Sequence, residues 1–65
     1  MMKVHELREV LKPGSEVVIS YFNKGSVEDV KIRVNMLHYE TWLTELTVKL
    51  IYVSEFDKLL HIITD

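Results

Sequence analysis

A mainly β fold opened by one short helix follows from three features of this 65-residue chain. The apolar set includes nine Val and five Ile, with four Thr and six aromatics beside them and no Ala at all. β-branched and aromatic side chains suit a pleated surface, and the best helix former is missing. Next, Val30, Ile32, Val34 and Met36 alternate with Lys31, Arg33 and Asn35, the period of a strand with one apolar face. Finally, Pro13-Gly14 and Asn23-Lys24-Gly25-Ser26 break the chain where a helix must stop and a hairpin can turn. The expected architecture is a single domain over 1–65, with a helix at about 3–12 and strands at about 15–22, 28–39, 42–53 and 59–64. These would form a strongly bent antiparallel sheet of four to five strands, curled toward a small barrel.

The helix comes first. Val4, Leu7, Val10 and Leu11 recur at near-helical spacing while Lys3, Glu6, Arg8, Glu9 and Lys12 fill the other positions. So short a helix is not stable alone and must dock on something apolar. Ser15 to Phe22 then reads as a strand, with Val17, Val18 and Ile19 followed by Tyr21 and Phe22. Gly25 takes positive φ at no steric cost, which makes the 23–26 turn a hairpin signal joining it to the alternating strand.

Beyond Met36 the pattern runs on with little punctuation, and Glu40-Thr41 is the expected turn. Leu46, Val48, Leu50 and Tyr52 form one apolar face, while Leu43, Ile51 and Val53 make the opposite face apolar at both ends. A sheet with one face in water has no use for that second set, so part of it should be covered by the helix, by barrel closure or by another subunit. The final stretch allows two readings. Ser54, Phe56, Asp57, Leu59, Leu60 and Ile63 fit a capped helix, and Leu60 to Thr64 equally fit an edge strand after one turn. The turn and strand are preferred.

Length and charge exclude several functions. Eight basic against ten acidic side chains leave a net charge of −2, which lacks the basic field of a non-specific nucleic-acid binder. No stretch is long and apolar enough to span a bilayer, the opening Met1 to Glu6 is unlike a signal peptide, and there is no cysteine to staple a secreted domain. A cytoplasmic protein is expected, with no membrane association. A chain this small buries only about 60% of its unfolded surface, so self-association is the simplest way to add burial, and a homo-oligomer is expected.

No catalytic residue, metal ligand or cofactor site is expected. His5 with Glu9, His38 with Glu40, and Asp57 with His61 are each only a pair, whereas zinc needs three or four convergent ligands. No Gly-rich phosphate loop and no nucleophile elbow occur. The expected function is therefore a non-enzymatic interaction module that binds a protein partner of unstated identity. Its expected contacts are Leu37, Tyr39, Leu43, Ile51 and Val53, apolar residues on a face that strand alternation turns outward. The alternative is a nucleic-acid surface in which Lys24, Lys31 and Arg33 accompany Tyr21 and Phe22 as stacking platforms. Glu28-Asp29 lies among them and offsets their charge.

The run Ser15-Glu16-Val17-Val18-Ile19-Ser20-Tyr21-Phe22-Asn23-Lys24-Gly25 after a helix and a Pro-Gly break resembles the opening of Sm-like proteins. Leu50-Ile51-Tyr52-Val53-Ser54-Glu55-Phe56-Asp57-Lys58-Leu59-Leu60-His61-Ile62 looks like the close of YolD-like proteins, small Sm-like chains of Firmicutes and their prophages. This resemblance spans Leu7 to Ile62 and implies a small bent barrel, association through strand edges, and a phage or prophage accessory or regulatory role. In its alternative form it implies an Sm-like oligomer on RNA or single-stranded DNA. The sequence departs from the Sm-like pattern where that family holds a base. No Asp-x-x-x-Asn stretch occurs around Asn35 to Leu43, and Glu55-Phe56 stands near the place of the Arg-Gly pair.

Overall fold

The computed structural model describes residues 2–65. Its element order is α1 (Val4–Leu7), β1 (Glu16–Asn23), β2 (Ser26–Arg33), a 3-10 helix (Val34–Tyr39), α2 (Thr41–Thr44), β3 (Val48–Val53) and β4 (Leu60–Thr64). The four strands form one sheet in the order β2-β1-β4-β3. β1 and β2 are an antiparallel hairpin, as are β3 and β4, but the central pair β1 and β4 is parallel. The sheet is therefore mixed rather than antiparallel, and it is open, with β2 and β3 as its edges.

This topology decides where the core lies. The chain leaves β2 at one edge and must reach β3 at the other, so the segment 34–47 crosses a whole face of the sheet. Val34, Leu37 and Leu43 from that crossing, with Val4 and Leu7 from α1, pack on Val17, Ile19 and Ile62. Those three strand residues share one face, since Ile19 pairs with Ile62 and Val17 lies two residues away. The short helices therefore cover this inner face. The opposite face carries no second layer among the described residues.

The hairpin β1–β2 turns at Lys24 (φ 52°) and Gly25 (φ 84°), positive at both central positions as a type I′ turn requires. The expected strand at 28–39 ends at Arg33 instead. Val34 and Leu37 are both buried, and a strand would send residues three apart to opposite faces, whereas a 3-10 turn stacks them. Met36, expected on the apolar face, is consequently exposed. The backbone leaves the ladder with Val34 N–H bonded to Ser15 O at 2.9 Å and Asn35 N–H to Pro13 O at 2.8 Å.

The expected strand at 42–53 is also divided. Its first part is the single turn α2, which brings Leu43 onto the core, and only Val48–Val53 is extended. Within β3 the pairing slips, Val48 facing Thr64 but Leu50 facing Ile63, so Lys49 is an extra, bulged residue. The bulge reverses the alternation. Val48 and Ile51 both pack toward the core, and Leu50 and Tyr52 turn outward.

The expected helix at 3–12 shortens to one α turn followed by looser turns to Val10. Leu7 O accepts from both Val10 N–H and Leu11 N–H, and the chain then departs toward Pro13. Val10 lies six residues, or about −120°, from Val4 on a helix and so falls off the apolar stripe; it is exposed. Residues 54–59 form a turn before β4, as preferred from the sequence, but β4 is no edge strand: it pairs with β1 on one side and β3 on the other, which buries Ile62 between Ile19 and Ile51. Thr64, buried at the end of β4, donates its hydroxyl to Ser20 O at 2.7 Å.

Candidate interaction surface

The register of the sheet lays out its bare outer face residue by residue. One cross-strand row runs Tyr52, His61, Val18, Lys31, and the next runs Leu50, Ile63, Ser20, Asp29. A third begins with Phe22 opposite Val27. Val18 and Ser20 are screened by their neighbours, but Phe22 is 63% exposed, Leu50 56% and Tyr52 44%. A hollow of about 120 Å³ opens among Ser20, Phe22, Val27, Lys49 and Ile63. Apolar side chains around a shallow hollow with few charges are how the centre of a protein interface is built.

One hydrogen bond and one ring stack fix this face. Asp29 accepts the Ser20 hydroxyl at 2.6 Å, and Tyr52 stacks on His61 with ring centroids 5.1 Å apart at 23°. The His61 Nε2 lies 2.9 Å from Asp57 Oδ2, although this segment is a turn and not the helix that would put them on one face. The loop makes the meeting possible. Lys58 takes positive φ (63°), its N–H bonds Ser54 O at 2.9 Å, and Leu59 N–H bonds Asp57 Oδ1 at 3.0 Å. That backbone donor first, and the His61 ring second, hold the Asp57 carboxyl below the ordinary aspartate range. The Ser54 hydroxyl oxygen accepts from Phe56 N–H at 3.2 Å and so helps to shape the same turn. Among the described residues no three His, Asp or Glu side chains gather into a metal-holding group. No helix among them is long and apolar enough to cross a membrane.

The five expected contact residues do not form one surface. Leu37 and Leu43 are 0% and 1% exposed inside the chain's own core, and Ile51 is half-buried against it. Their outward placement rested on strand alternation through 37–43, which the two short helices replace. Only Tyr39 and Val53 are exposed, Tyr39 with its ring against His38. The nucleic-acid set is split as well. Phe22, Lys31 and Arg33 share the outer face with Asp29 between them, while Tyr21 faces the core side and meets Trp42 edge-on at 5.0 Å. Lys24 stands at the hairpin tip, and the Arg33 guanidinium is turned to Gly14 O at 2.9 Å.

Val27, Leu50, Tyr52 and Ile63 belong to the candidate surface without having been expected there. The Phe22–Val27 pair was available from the hairpin register, but Leu50 and Tyr52 read as inward because nothing in the sequence marks Lys49 as a bulge. A second opening of about 400 Å³ lies between Leu11, Val53, Leu59 and Leu60, with Glu16 and Lys58 as its charged lining. Next to it the loop holds up Phe56, 94% exposed.

The fold and face define a small mixed-sheet domain with one covered and one open side. No family model matches the chain, and no curated protein or solved structure is significantly similar to it.

Proposed function

We propose that this chain is a non-enzymatic interaction module that binds a protein partner through the outer face of its sheet and self-associates. The observation that carries the reading is where the aromatics are. The core cluster is wholly aliphatic, whereas the aromatic rings of Phe22 and Tyr52 are exposed on the outer face. Exposed aromatic and aliphatic side chains beside a hollow favour a partner that inserts an apolar side chain next to Phe22. The setting proposed is a cytoplasmic phage or prophage accessory protein with a regulatory role. That setting and the Sm-like kinship rest on the apolar patterns of 15–25 and 50–62 alone.

The second reading is an Sm-like oligomer on RNA or single-stranded DNA, favoured by Phe22 with Lys24, Lys31 and Lys49 nearby. Affinity capture with the intact chain separates the two. A protein partner held by the outer face stays bound from about 0.05 M to about 0.5 M salt and is lost with Leu50→Glu, whereas a nucleic-acid complex weakens by orders of magnitude over that range. Nucleic acid recovered at low salt and released at high salt, with no protein lost on Leu50→Glu, refutes the protein-partner reading.

A further inference from the structure

The two edges of the sheet are not alike. β3 is broken by the bulge at Lys49, and its start is covered by the N-terminal segment, where Val4 N–H bonds Leu46 O at 3.0 Å and Val48 N–H bonds Met2 O at 2.8 Å. β2 has eight residues, no proline and no bulge. Among the described residues only β1 and the 3-10 helix that continues it make substantial contact with β2.

Hairpin parity shows which backbone groups this edge offers. In a two-residue hairpin the residues flanking the turn, Asn23 and Ser26, exchange hydrogen bonds, and the pattern then alternates. The Val34 N–H bond to Ser15 O keeps that phase. Ser26, Glu28, Val30 and Ile32 therefore bond to β1, and Val27, Asp29, Lys31 and Arg33 point their N–H and C=O groups outward. The charge order along the same edge is acidic, then basic: Glu28 and Asp29 before Lys31 and Arg33.

We infer that β2 pairs antiparallel with β2 of a second copy, Val30 lying on the two-fold axis, to give a continuous eight-stranded sheet. In this register each Asp29 lies opposite the partner's Lys31 and each Val27 opposite the partner's Arg33. All four are residues whose outward backbone groups have no partner strand among the described residues. Moving the axis by one residue to Asp29 or Lys31 sets two aspartates or two lysines face to face, which disfavours those registers. A register shifted so that odd residues meet even ones would put side chains on the wrong faces. Asp29 holds one oxygen on Ser20, which leaves the other for the lysine. The outer faces of the two copies join into one surface.

This inference rests on the self-association half of the proposed function and is independent of the partner half. The test is sedimentation equilibrium of the intact chain with Asp29→Lys, Lys31→Glu and their 1:1 mixture. Wild type should show a species of twice 7.7 kDa at high micromolar concentration. Each single variant, facing its own copy with like charges, should dimerise at least about tenfold more weakly. The mixture should recover the dimer, because one chain of each kind brings opposite charges together at both cross-strand pairs. Amide exchange gives a second readout, since the N–H groups of Val27, Asp29, Lys31 and Arg33 should slow with concentration while those of Glu28, Val30 and Ile32 are slow throughout. A chain that is monomeric at every concentration overturns self-association as a whole. A dimer that ignores both variants and leaves the odd-numbered amides fast overturns the β2 pairing and moves self-association to another surface.

Discussion

Replacing Leu43 by alanine separates the two places this residue could occupy, the chain's own core or a surface for another molecule. The side chain is 1% exposed and belongs to the cluster with Val4, Leu7, Ile19 and Ile62. Three carbons removed at about 0.8 kcal/mol each give about 2.4 kcal/mol of lost transfer free energy. If about 60 Å³ of the space stays open, about 24 cal/mol per Å³ adds about 1.4, for a total near 4 kcal/mol. A domain of this length holds about 3–10 kcal/mol in all, so the variant should lose at least about 40% of its stability. Its thermal midpoint should fall by roughly 15–30 °C, at about 4–8 °C per kcal/mol. Urea denaturation followed by far-UV circular dichroism measures the loss, at one protein concentration for all variants so that association does not intrude. Phe56→Ala, from a side chain 94% exposed, serves as the control and should stay within about 0.5 kcal/mol of wild type. A Leu43→Ala change as small as that of Phe56→Ala would refute the burial argument and return Leu43 to an outward face.

Two further outcomes follow from the turns. Lys24 pays for its left-handed φ of 52°, and Lys24→Asn, which creates the Asn-Gly pair favoured in type I′ turns, should raise stability by about 0.5–1 kcal/mol in the same urea assay; a loss would mean that the lysine makes a contact worth more than the strain. Asp57 gives a dependence on pH. Its folded carboxyl is held low, chiefly by the Leu59 N–H, so its contribution is fully present above the unfolded value, roughly pH 4, and is lost as pH falls through the folded one. Asp57→Asn should therefore show a smaller drop in denaturation midpoint than wild type between about pH 5 and about pH 3, and equal slopes would contradict the linkage.

Local signals carried well where neighbours in sequence are neighbours in space. The hairpin β1–β2 was legible because Gly25 marks the turn and Val30 and Ile32 alternate with charged residues, and its register then follows from the loop length alone. The turn and strand at 54–64 were legible for the same reason. The segment 34–47 was not. Val34, Leu37, Leu43 and Leu46 fit a strand with two apolar faces or a chain of short helical turns equally well, since apolar content alone does not choose between periods. Thr41-Trp42-Leu43-Thr44 has weak helix propensity, and its single turn exists because it sets Leu43 on the sheet.

What the amino-acid order determined by itself is therefore the β content, the helical start before Pro13, the β1–β2 hairpin and the charge order along β2. Tertiary structure alone decided that β1 lies parallel to β4, that 34–47 crosses one face and buries Leu37 and Leu43, and that the bulge at Lys49 turns Leu50 and Tyr52 outward. The physical reason is one of range. Alternation and turn chemistry act over a few residues, but the pairing of β1 with β4 joins segments some forty residues apart and is chosen by which arrangement leaves the aliphatic residues of both ends, and of the crossing between them, in a single core.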